Sequence, residues 1–226
     1  MSGVVVIGAT GGCGATTFAC AIALARAGAG DSVLVVDLDP HGGGPSALWG
    51  IPAARALDDL CPLGDDLTPE HVDHLVHRHP TGIDVVAGAR DASALTAWSA
   101  AALDGLVRYV TARPSWVVDA GRGDTPLVAA LAARAELVVV LAPRSVEGAR
   151  RLPRIPGVQD WRRAVGVATE IPASDRLPER ALARALGAEF VATAARDPRG
   201  ASRVAAAQQA RGRGVAKVVA VVEGLR

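Results

Sequence analysis

The sequence predicts an α/β fold, a doubly wound, mostly parallel sheet with helices on both faces. Three observations lead there. Short β-branched apolar runs recur without polar alternation, as strands covered on both faces require. Helix-forming stretches separate these runs. The first run passes through a glycine-rich turn into a helix, which opens a βαβ unit.

Val4 to Ile7 is the first predicted strand, followed by Gly8-Ala-Thr-Gly-Gly-Cys-Gly14. Ala15 to Ala27 is alanine-rich, offers Phe18, Ile22 and Leu24 to one face, and reaches Gly28, so it reads as a helix. Ser32 to Val36 is a second buried strand, ending in Asp37-Leu-Asp39-Pro40. The alternation continues with a strand at Ile83 to Ala87 and a helix from Ala100 to Arg113, stopped by Pro114. Trp116 to Val118 runs as a strand into Asp119-Ala-Gly121. A helix over Pro126 to Arg134 and a strand over Leu137 to Leu141 follow. Weaker strands are expected at Ala164 to Ala168 and Glu189 to Ala192. Helices are expected at Pro178 to Leu186 and Gly200 to Arg211, with an apolar segment after Gly214 that packs onto the domain.

Composition bounds the function. The chain has 226 residues, is 50% hydrophobic and 21% charged, and carries a formal net charge of +1. That excludes disorder, and it excludes a bulk electrostatic pull onto nucleic acid or an anionic membrane. One domain spanning residues 1–226 is expected, without internal repeat or separating linker. Met1-Ser2-Gly3 leads into an apolar run without a basic region, and no stretch is long enough to cross a bilayer, so a cytoplasmic location is expected. Three cysteines, Cys13, Cys20 and Cys61, lack metal-like spacing. There is one lysine, Lys217, and no asparagine. Any chemistry that needs a lysine must use that residue or a partner's.

A glycine turn between a strand and a helix N-terminus is an anion site, because amide N–H groups and the helix dipole meet there unobstructed by side chains. Two ligand classes fit. Gly8, Gly11 and Gly14 with Asp37 resemble the nucleotide loop of short-chain dehydrogenases, but those enzymes use a Tyr-x-x-x-Lys pair. Here Tyr109 is followed four residues later by Arg113. The other reading lays Thr10-Gly-Gly-Cys-Gly-Ala-Thr16-Thr17 over a deviant Walker A loop, Lys-Gly-Gly-x-Gly-Lys-Thr-Thr. On that loop the chain resembles the MinD/ParA family of dimerising ATPases. Asp37-Leu-Asp39-Pro40 with Gly42-Gly-Gly44 resembles the family's switch I. Trp116-Val-Val-Asp119-Ala-Gly121 resembles its Walker B strand and switch II, and Leu137 to Pro143 with Ser145-Val-Glu147 its next strand and helix start.

This resemblance implies ATP and Mg²⁺ as cofactors and a homodimer. Gly11, Gly12, Cys13, Gly14, Ala15, Thr16 and Thr17 would bind nucleotide, Thr16, Asp37 and Asp119 would hold Mg²⁺ directly or through water, and Asp39 would orient the attacking water. Both loop lysines of the family are replaced, by Thr10 and Ala15. Removing a positioned cation from developing phosphoryl charge costs on the order of 10²–10³ in rate, so binding with weak or absent hydrolysis is expected. The family's adenine-reading asparagine has no counterpart. Arg122, beside Asp119, could supply charge, but nothing in the sequence places it on the phosphates, and it reads more simply as an exposed loop arginine. The missing lysines most resemble the CpaE/TadZ and septum-site-determining branch, implying spatial positioning or assembly at a septum, pole, pilus or secretion machine with a protein partner that is unknown. The alternatives are a scaffold without nucleotide and an NAD(P)-binding protein.

Two other clusters stand out. Glu70 to Pro80 contains His71, His74, His77 and His79. On one helix His71, His74 and His77 would partly share a face, which suits either a metal site or, more simply, a solvated face with Val72, Leu75 and Val76 inward. Arg196, Arg199, Arg203, Arg211 and Arg213 crowd the last quarter. Helical spacing would align Arg196, Arg199 and Arg203 as a DNA-binding face or an ordinary charged one.

Overall fold

The computed structural model describes residues 2–40, 44–52, 54–96, 98–123, 125–155, 157, 161–170, 176–209 and 214–225. Its centre is an eight-stranded sheet. The strands are β1 (Ser2–Gly8), β2 (Val33–Asp37), β3 (Val76–Arg78), β4 (Asp84–Val86), β5 (Ser115–Asp119), β6 (Leu137–Pro143), β7 (Ala164–Thr169) and β8 (Phe190–Ala194). They lie in the order β3-β4-β2-β5-β1-β6-β7-β8. Every neighbouring pair is parallel except β3 with β4.

Side-chain alternation along the central strand assigns its two faces. Val4 and Val6 of β1 pack under α1 (Ala15–Gly28), α8 (Pro198–Ala205) and α9 (Val215–Glu223). Val5 and Ile7 point to the opposite layer, where α3 (Pro69–Leu75), α4 (Ala100–Thr111), α5 (Pro126–Ala132), α6 (Val146–Arg151) and α7 (Glu179–Leu186) contribute. Both layers being apolar explains why the strand sequences show no alternation. The one-turn α2 (Pro45–Leu48) follows β2.

Two expectations need correction, and the histidines themselves are engaged locally. The helix expected over Gly200 to Arg211 begins at Pro198 and ends at Ala205. Asp197 caps it by accepting the Gly200 amide at 2.8 Å, with Pro198 preset for the first turn. Arg196 therefore precedes the helix, which leaves Arg199 and Arg203 alone, one turn apart, of the expected three. The histidine segment is split as well: α3 stops at Leu75, and His77 lies on the antiparallel edge strand β3, paired with Val85. The Nδ1 of His71 accepts the Thr68 amide at 3.1 Å, His74 meets the Glu70 carbonyl, and His77 Nε2 meets the Arg55 carbonyl at 3.1 Å. Val72 and Leu75 are buried, as the amphipathic reading expects. Among the described residues, no group of three or more His, Cys, Asp or Glu is placed to hold a metal.

The terminal apolar segment forms α9 and packs on α1 and β8. One buried cation ties it down. Arg26, 1% exposed, lies 3.1 Å from Glu223 and donates to the Ser2 carbonyl at 3.0 Å and the Ser115 hydroxyl at 3.3 Å. It thereby joins α1, β1, β5 and α9 at the N-terminal end of the sheet. No helix is long and apolar enough to cross a membrane among the described residues. Replacing Arg26 with Ala should lower stability by about 3–5 kcal/mol, because Glu223 and the facing carbonyls lose their partner. A urea-denaturation midpoint unchanged from wild type would contradict this account.

Candidate functional site

The site lies where the strand order reverses. β1 is flanked by β5 and β6, and chain segments leave in opposite directions from their carboxyl ends, the position at which open α/β sheets bind ligands. The loop after β1 is held at its base by two backbone bonds. The Gly8 amide donates to the Gly121 carbonyl at 2.7 Å, and the Ala9 amide donates to the Leu141 carbonyl at 2.8 Å. Gly14 then turns left-handed, with φ 95°, to start α1, a conformation that suits glycine. No side chain caps this helix and no acidic residue occupies its first turn. Its first amides, and the partial positive charge behind them, are left for a ligand.

Two clefts share this loop. One, of about 540 Å³, is lined by Gly8, residues 10–17, Asp39, Gly121 and Arg122. A methyl group at Gly11 or Gly12 would meet nothing within 4 Å, so both backbones face open space. The other cleft, about 530 Å³, extends from the loop's opposite flank to Pro143, Thr169, Glu170 and Arg196, at the ends of β6, β7 and β8.

The expected residues converge unequally. Gly11 to Thr17 and Asp39 line the first cleft. Asp119 is 0% exposed, and the nearby Thr16 side chain opposes the rise in its pKa. The Gly121 amide donates to its Oδ1 at 3.3 Å, while Oδ2 is buried with no partner. Asp37 pairs with Asp119 in the sheet register, and neither carboxyl group lines the cleft itself. The Asp37 carboxylate accepts the Ser46 hydroxyl at 2.9 Å and the Asp39 amide at 3.2 Å. Of the glycines expected after Pro40, Gly44 packs against the Asp37 carboxylate, whereas Gly42 and Gly43 lie outside the described residues, as do Arg211 and Arg213. Arg199 is exposed on α8, and Arg203 donates to the Gln209 carbonyl at 3.0 Å. Lys217 is exposed on α9 and lines neither cleft.

Sequence reading missed Ser46, which ties α2 to Asp37, and Thr169, whose hydroxyl is buried without a partner in the second cleft. Neither had a signal beyond standing near a strand end. Cys13 lines both clefts, but burial raises its thiol pKa and leaves it a weak nucleophile.

The carboxylates have unusual electrostatics. Burial is the main cause that lifts the Asp119 pKa to about 7, opposed by the Thr16 side chain and reinforced by Asp37. Burial also raises the Asp37 pKa. A divalent cation would reverse this penalty, and the orphaned Oδ2 of Asp119 beside the Thr16 hydroxyl is a donor set of oxygens suited to Mg²⁺. Between about pH 4 and 7 the native state keeps a proton on Asp119 that the unfolded chain has released. Stability without metal should therefore fall as pH rises through this window, by at most about 1.4 kcal/mol per unit for this group, and level off above it. Asp119→Asn should flatten the slope in urea midpoints measured from pH 4.5 to 8; equal slopes would count against the assignment.

No protein-family model matches the chain. Two uncharacterized proteins of Mycobacterium tuberculosis, from strains H37Rv and CDC 1551, are each 39% identical over 150 residues. That match covers 63% of this chain and only 39% of their length. Among solved structures, a ParA family ATPase from Chlorobium tepidum superposes with a TM-score of 0.78 at 16% identity, over 100% of this chain and 98% of that one. The septum site-determining protein MinD from Pyrococcus horikoshii, complexed with Mg-ADP, gives 0.73 at 14% identity over 99% and 95%. The chain has the fold of the ParA and MinD ATPases.

Proposed function

We propose that the chain is a MinD/ParA-like nucleotide-binding protein that takes ATP and Mg²⁺ on the loop from Gly11 to Thr17 and turns it over slowly or not at all. The single observation that carries this reading is the uncapped N-terminus of α1, entered through left-handed Gly14 and opening into a cleft of about 540 Å³. Backbone amides grip phosphate without side chains, so the absent lysines do not abolish the cradle. Mg-ADP in the Pyrococcus horikoshii structure supports the same ligand class. Thr16 and Asp119 would hold Mg²⁺, which neutralises phosphate charge. Asp37 supports them from behind through Ser46 and the start of switch I, and Asp39 lines the cleft where an attacking water would be oriented.

Slow turnover follows from Ala15 and Thr10. The amides contact bound phosphate before and during reaction alike, whereas a lysine strengthens as charge moves. A holder of nucleotide without efficient hydrolysis suits a cytoplasmic, homodimeric regulator of positioning or assembly, of the CpaE and septum-site-determining kind. The curated relatives are longer than this chain, so any activity of a whole protein of that length belongs to this proposal too.

ATP–Mg²⁺ at a hundred times its Kd should raise the Tm by about 5–10 °C, the equivalent of about 2.7 kcal/mol. A shift with NAD(P)H alone would replace this reading with a dinucleotide one, and no shift with any ligand would favour a scaffold. Ala15→Lys should increase ATP turnover about 10²-fold or more; brisk hydrolysis by wild type would refute the slow-turnover claim. Because Mg²⁺ must displace the Asp119 proton, Mg-nucleotide affinity should weaken as pH falls below about 7 and plateau above it, as calorimetry across pH can show.

A further inference from the structure

We propose that Arg122 supplies the phosphate-binding cation that the glycine loop lacks. The inference rests on the nucleotide reading above and names a residue for it. Among the described residues lining the phosphate-side cleft, Arg122 is the only lysine or arginine. The cleft otherwise offers backbone amides, threonine hydroxyls and Asp39. Behind it stand Asp37 and Asp119. A polyphosphate entering here meets one carboxylate and one guanidinium, with two further carboxyl groups buried behind the cleft.

Arg122 is held on a fixed pedestal. It sits at the top of a tight turn in which the Gly123 amide donates to the Ala120 carbonyl at 2.8 Å. Gly121, with φ 52°, gives its carbonyl to the Gly8 amide at 2.7 Å, so the turn is bonded to the first residue of the loop itself. A Cβ at Gly121 would come within 2.7 Å of Asp39 Oδ1, so this backbone lies directly on the switch I carboxylate. A Cβ at Gly123 would come within 2.9 Å of the Ile7 side chain. Clamped between β1 and Asp39, the turn has one way to point residue 122: outward, where Arg122 is exposed and borders the cleft. A guanidinium there matches phosphate oxygens in a bidentate manner. The other cleft has its own arginine, Arg196, on the flank away from Asp39 and Asp119, which serves as a control.

The test is calorimetry of ATP and AMP binding, with Mg²⁺, to the full chain. A cation on the β- and γ-phosphates is felt by ATP and not by AMP. Arg122→Ala should weaken ATP binding about tenfold or more and change AMP binding less than about twofold. Arg122→Lys should keep most of the ATP preference. Arg196→Ala should leave the ratio of ATP to AMP affinity unchanged. Adding Ala15→Lys to the Arg122→Ala protein should restore ATP affinity, since it returns one positive charge to the loop. Equal losses for ATP and AMP, or unchanged ATP binding in a folded Arg122→Ala protein, would overturn the assignment while leaving nucleotide binding in place. Failure of wild type to bind either nucleotide would overturn both the parent reading and this one.

Discussion

The hydrogen bond from the Gly8 amide to the Gly121 carbonyl, 2.7 Å long, is the constraint on which the site depends. β1 and β5 are neighbours in parallel register, so their carboxyl ends emerge side by side. This one bond then sets the glycine loop against the segment that follows Asp119. The Ala120 amide, donating to the Val6 carbonyl at 2.9 Å, joins the same two segments one residue earlier. With these bonds, the loop and the Gly121–Arg122 turn line one cleft, with Asp119 buried behind it, and the strained choices nearby acquire a reason. Gly121 must be left-handed to present its carbonyl, and no side chain larger than hydrogen fits beside Asp39. The sheet supplies the stiffness that holds this geometry. β1 and β5 are buried on both faces, and a densely packed interior resists small displacements.

That stiffness has an electrostatic counterpart. Asp37 and Asp119 sit next to each other across the β2–β5 pairing, one 4% and the other 0% exposed. Two carboxylates in such a place favour protonation, and an orphaned oxygen on Asp119 adds to the cost. A stability-driven arrangement would have placed apolar residues there. A site that waits for a cation gains from the same arrangement, since metal replaces proton and removes the penalty at once. On the proposed reading, the burial that disfavours two ionised carboxylates would favour a bound cation.

Much of this was legible in residues. β-branched runs located the parallel strands, because strands covered on both faces cannot alternate. The glycines between Gly8 and Gly14 located the cleft at the start of α1, because backbone that close to an uncapped helix start is left open. The missing lysine was visible as a count. Less legible were features that depend on neighbours distant in sequence. Val76 to Arg78 reads as helix by continuity with the histidines, yet pairing with β4 converts it to an edge strand. Asp197 was counted as one acid among arginines, whereas its capping of α8 moved the helix start and took Arg196 out of the expected row. Arg122 read as an ordinary loop residue because its placement comes from backbone bonds to Gly8 and packing on Ile7, over a hundred positions away.

The division between what the backbone and the side chains contribute also bears on why such a site would keep its loop after losing its lysines. Amides at a helix N-terminus cost nothing extra to retain, since the helix that covers Val4 and Val6 is needed for the core in any case. A lysine is different: it sits in the cleft for the ligand alone. Loss of the lysines therefore removes acceleration first and grip last. Retention of an uncapped helix start, an orphaned Asp119 oxygen and a Ser46 clasp on Asp37 is harder to assign to packing, because each one leaves or holds polar groups that a purely structural turn would have replaced with apolar contact. On these grounds nucleotide binding accounts for more of the structure than a scaffold does, and an arginine clamped beside the loop is the economical place for the remaining charge.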